Sequence, residues 1–72
     1  MNKKQQLIKS VNEEKNILIG VGLLDSRIEF YKKELKRKID LRNRLATYCH
    51  TKPNWLCDRI DELKLTIAIL SE

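Results

Sequence analysis

Turn-forming residues are scarce in this chain: two glycines, Gly20 and Gly22, and one proline, Pro53, punctuate 72 residues. A β-rich fold needs a turn roughly every 8 to 12 residues, so these three exclude it. Cysteine is scarce too. Cys49 and Cys57 are too few for the disulfide framework of a small secreted domain. Reduced thiols are the expected state, although the pair flanks the expected turn and one bridge there is geometrically conceivable. With a single histidine, His50, no nucleophile has a recognisable base, and there is no glycine-rich phosphate loop. No catalytic residue is therefore expected, and the chain is read as not an enzyme. Long apolar runs are also missing. The longest, Ile17 to Leu24, has eight residues, against the roughly 20 a bilayer-spanning helix needs. That run follows Glu13 and Glu14 and lacks a small-residue cleavage site, so the basic start Met1-Asn2-Lys3-Lys4 is not read as a secretory signal. The expectation is a cytoplasmic protein without membrane contact, in the host cytoplasm if phage-encoded.

What is present points to helices. Charged residues make up 35% and hydrophobic ones 42% of the chain, a mix that suits amphipathic helices better than disorder. Leu56, Ile60, Leu63, Ile67 and Leu70 recur at alternating steps of four and three, which places them on one stripe of a helix. Before the proline, Ile17, Val21, Leu24, Ile28, Tyr31 and Leu35 form a matching stripe. Two stripes joined by a short turn at 50–54 predict an antiparallel helical hairpin in a single all-α domain. Helices are expected over about 3–24, 26–50 and 54–70, with Thr51 or Asn54 capping the last.

The glycines allow two readings of the first half. Ser26 and Glu29 have capping-box spacing, so a new helix could start at Ser26. Alternatively the helix runs on, kinked, because the stripe from Ile17 to Ile28 passes Gly20 and Gly22 without losing phase. The second reading is favoured. Trp55, Leu65 and Ile69 lie off the C-terminal stripe and would be exposed in a hairpin. That predicts a homodimer closing a four-helix bundle, unless the N-terminal helix folds back to make a three-helix bundle.

Fifteen basic against ten acidic residues give a net charge of +5, which favours anionic partners. Lys32, Lys33, Lys36, Arg37 and Arg44 fall opposite the main stripe of the middle helix and could contact nucleic-acid phosphates. Glu34 is expected to pair with Lys38. A second apolar row, with Phe30, Leu41 and Tyr48 as anchors and Arg37, Arg42 and Arg44 as a charged rim, suits a protein partner. Cys49, His50 and Cys57, with Asp58 or Asp61, lack the spacing of a zinc site, so no metal or cofactor is expected. These features favour a small non-enzymatic regulator or adaptor, of the size of a phage or mobile-element inhibitor of a host protein. Nucleic-acid binding is the alternative. Ile28-Glu29 and Cys57-Asp58-Arg59-Ile60-Asp61 are faintly similar to segments of the small sporulation phosphatases, helical hairpins that act on a response-regulator aspartyl-phosphate. Their second helix carries Ser-Gln-x-Leu-Asp. Only Ile60 and Asp61 fit it, Cys57 and Asp58 replace the defining Ser and Gln, and the family is not assigned. The resemblance implies Asp61 as the residue to test.

Overall fold

The computed structural model describes residues 2–50 and 52–72. Three helices, α1 (Lys3–Val21), α2 (Leu24–Tyr48) and α3 (Asn54–Leu70), account for most of them, and no strand occurs among the described residues. α1 starts at a conventional cap: the Asn2 side chain accepts from the Gln5 amide at 2.8 Å. It ends at Gly22, which adopts the left-handed conformation with φ 72°. The Gly22 amide donates to Ile19 O (3.3 Å) and the Leu23 amide to Leu18 O (3.0 Å), the paired bonds of a Schellman motif.

This break corrects the favoured reading of one continuous helix. The in-phase stripe is real in the sequence but not in space, for Ile17 and Val21 are exposed. The capping-box alternative also fails in detail. α2 begins at Leu24, so Ser26 already lies in its first turn, and no side chain caps it. At the second connection Asn54 is the first helical residue rather than the cap. Pro53 holds the cap position, and its carbonyl accepts from Leu56 and Cys57. The other proposed cap, Thr51, lies outside the described residues. His50 closes α2 at φ 51°, a left-handed position that a residue with a Cβ occupies at some cost.

α3 is the centre of the molecule. It contributes Leu56, Ile60, Leu63, Thr66, Ile69 and Leu70 to the buried set, α1 adds Val11 and Leu18, and α2 adds none. Thr66 is the one buried polar residue described, and its hydroxyl donates to Glu62 O at 2.8 Å. α2 runs antiparallel to α3. Its start (Leu24, Ile28) packs with Ile69 and Leu70, and its middle (Lys38) shares a groove with Trp55 and Asp58. α1 runs parallel to α3 on the other side. Lys3 and Leu7 lie beside Asp58 and Asp61, while the Lys15 ammonium donates to Ile69 O (3.2 Å) and Glu72 O (2.8 Å). The helix expected to pack antiparallel on α3 is thus α2 alone, and α1 is a separate helix folded back. It covers Ile69 and half-buries Leu65, leaving only Trp55 of the off-stripe residues exposed.

The molecule measures 44 × 29 × 14 Å with a radius of gyration of 13.9 Å. A compact chain of this length would have roughly 11 Å. The molecule is thus more elongated than a compact chain; α3 packs with both other helices, and α1 also meets α2 through Glu14, Tyr31 and Arg27. The two glycines should respond oppositely to alanine. Gly22→Ala forces a Cβ onto a positive φ and should destabilise by about 1 kcal/mol. Gly20 is helical, with open space around its Cβ position. Gly20→Ala should therefore stabilise by about 0.5–1 kcal/mol, read as opposite shifts of the urea midpoint.

Candidate functional site

The side chains available for function lie on α2. Its inner face, at spacing four and three, carries Leu24, Ile28, Tyr31, Leu35, Ile39 and Ala46, each half-buried. A third of a turn round, Phe30 is 51%, Leu41 36% and Tyr48 80% exposed. Phe30 and Tyr48 stand out of the core, whereas Tyr31 packs against it. α3 and α1 pack on the inner face of α2 and its margin, and nothing among the described residues covers the second apolar row.

The basic residues divide by the same geometry. Lys32, Lys33, Lys36, Arg37 and Arg44 are exposed. Arg37 Nη1 lies 3.3 Å from Glu34 Oε1 and Lys32 Nζ 3.9 Å from Glu29 Oε1. Glu34 thus pairs with Arg37 rather than with Lys38 as expected. Among the described residues Lys33, Lys36 and Arg44 make no ion pair. Arg42 does not stand with Arg37 and Arg44 beside the apolar row. It is half-buried on the face shared by Leu35 and Ile39, because a residue adjacent in a helix points about 100° away.

A polar cluster not foreseen from the sequence ties α1 to α2. The Tyr31 hydroxyl donates to Glu14 Oε1 and Oε2 (2.9 and 3.1 Å), and Arg27 Nε sits 3.8 Å from the same carboxylate. The Arg27 guanidinium also lies 5.7 Å over the Phe30 ring, which meets Tyr31 edge-on at 5.6 Å. Glu14 reads in the sequence as one of two adjacent surface acids. Only the fold brings α2 beside it. Burial and the hydrogen bond to Glu14 raise the Tyr31 pKa above its ordinary value near 10.0, against the lowering pull of Arg27 and Arg59.

The remaining candidates stay apart. Cys49 is exposed and Cys57 half-buried, both as free thiols. Among the described residues no three of His, Cys, Asp and Glu converge to hold a metal ion. Asp61 is exposed and lines an open groove of about 520 Å³ with Lys3, Lys4, Leu7, Asp58, Glu62 and Leu65, while its neighbour Ile60 is in the core. No described helix is long and apolar enough to cross a membrane.

Against protein-family models, curated proteins and solved structures alike, the chain finds no match. The assignment of function therefore rests on the surface just described.

Tyr31 offers a test of the α1–α2 cluster. A tyrosine whose folded pKa exceeds its unfolded value favours folding while it is neutral. That contribution is complete below about pH 10 and disappears as pH rises through the folded pKa. Tyr31→Phe should cost about 1 kcal/mol near neutral pH, one hydrogen bond. Its urea midpoint should then fall less steeply than that of the unsubstituted chain as the solution is taken through pH 10.

Proposed function

We propose that the chain is a small non-enzymatic regulator or adaptor that binds another protein through the outer flank of α2, the mode of action of a phage or mobile-element inhibitor of a host protein. The observation that carries this reading is that the longest helix buries no residue of its own, while it exposes Phe30, Leu41 and Tyr48 in one row. Large aromatic and aliphatic side chains left in water are a reservoir of binding free energy. Covering one is worth about 1.5–3 kcal/mol, and aromatic residues with flanking arginines dominate interface energetics. Arg37 and Arg44 supply that rim, with Arg42 set back toward α3.

A second reading, nucleic-acid binding, is favoured by Lys33, Lys36 and Arg44, which are exposed and without an ionic partner among the described residues. It is the weaker reading because Glu29 and Asp40 interrupt the same outward side, which dilutes the field a phosphate backbone would meet.

The two readings separate by salt and by residue. For docking, a photo-crosslinker placed at Tyr48 should form a discrete protein adduct that persists at high salt and disappears with Phe30→Ala. For phosphate binding, a labelled DNA duplex should be held at low salt, released steeply as salt rises, and lost with Lys33→Glu and Lys36→Glu. Adducts indifferent to Phe30, together with salt-sensitive duplex binding, would reverse the preference.

A further inference from the structure

The flank of α2 is complementary to itself. From Leu23 to Tyr48 it advances in alternating steps of four and three, the spacing of a coiled-coil seam. Read from its two ends toward the middle, the seam returns matched pairs: Leu23 with Tyr48, Phe30 with Leu41, and Glu34 with Arg37. Each pair joins one residue of the first heptad position to one of the second. Antiparallel helices bring that kind of layer together.

Resting on the reading of this flank as a docking surface, we propose that its occupant is a second copy of the chain, paired antiparallel through α2 about a twofold axis between Leu35 and Lys36. Symmetry doubles every contact. Two Phe30–Leu41 layers and two Leu23–Tyr48 layers cover the exposed apolar row. Glu34 of each copy meets Arg37 of the other, joining the pair already formed within each helix at 3.3 Å. Two layers, related by the axis, set like charges together, Arg27 of each copy against Arg44 of the other. There Arg27 is offset by Glu14 at 3.8 Å and stacks over Phe30. The seam spans about 37 Å of helix, along a molecule 44 Å in its longest dimension. A parallel arrangement in register sets Glu34 on Glu34 and Arg37 on Arg37, so charge selects the antiparallel one. An unrelated partner gives no reason for the row to match its own reverse.

Light scattering over a range of concentrations tests this. The chain should approach twice its 8.5 kDa mass. Glu34→Arg or Arg37→Glu alone sets like charges across the axis twice and should raise the dissociation constant roughly tenfold or more. The double variant should return to the original value. The two single variants mixed in equal amounts should form a heterodimer, since each then supplies the charge the other needs. Circular dichroism of each variant checks that it remains helical. A dimer indifferent to these charges, or abolished equally in the double variant and in the mixture, overturns the proposed pairing. A chain that stays monomeric overturns self-pairing altogether. If that monomer still gives a Phe30-dependent adduct with another protein, the docking reading stands with a different occupant; if it gives none, both fall.

Discussion

Burial of the apolar arc of α3 is the interaction on which the rest of the structure depends. Leu56, Ile60, Leu63 and Leu70 are almost wholly removed from water, and with Ile69 they occupy more of the helix than one neighbour can cover. Two neighbours are needed. α2 packs along one side, joined by a connection short enough to make it antiparallel. α1 returns along the other. Together they leave α2 with one covered flank and one open one.

The return of α1 relies on a backbone stop and a few directed polar contacts. Gly22 provides the stop, since its left-handed conformation lets two amides satisfy carbonyls at the end of α1. Glu14 then receives Tyr31 and Arg27 from α2, and Lys15 reaches carbonyls at the end of α3, where the helix dipole favours a cation. These adjacent residues point to different helices, so one turn of α1 engages both of its neighbours. Val11 and Leu18 supply the apolar part of the same contact. Small domains have little core with which to stabilise such an arrangement, and a second copy on the open flank would add to it.

Function, on this view, follows from incomplete coverage. Phe30, Leu41 and Tyr48 are exposed because neither α1 nor α3 reaches the outer flank of α2. The basic residues of the outward side are held in helical register by the same buried flank. On the proposed reading such a surface would recognise its partner by shape and charge, and the order of its residues along the chain matches its own reverse.

The sequence by itself determined the helical class, four of the five stripe residues of α3 (Ile67 is half-buried, and Thr66 and Ile69 are buried instead), the short turn after α2 and the existence of a second apolar row on α2, because each is a matter of periodicity and local turn chemistry. What only the tertiary structure decided was whether a stripe is buried and by what. Ile17 and Val21 keep phase with Leu24 and Ile28, yet the chain reverses at Gly22 and leaves them in water. A glycine can weaken a helix or end it, and the choice depends on whether α1 gains more by packing on α3 than by continuing. Glu14, Lys15 and Tyr31 were equally illegible as a group, since their partners lie 13 to 57 residues away and no local pattern records a contact that only folding creates.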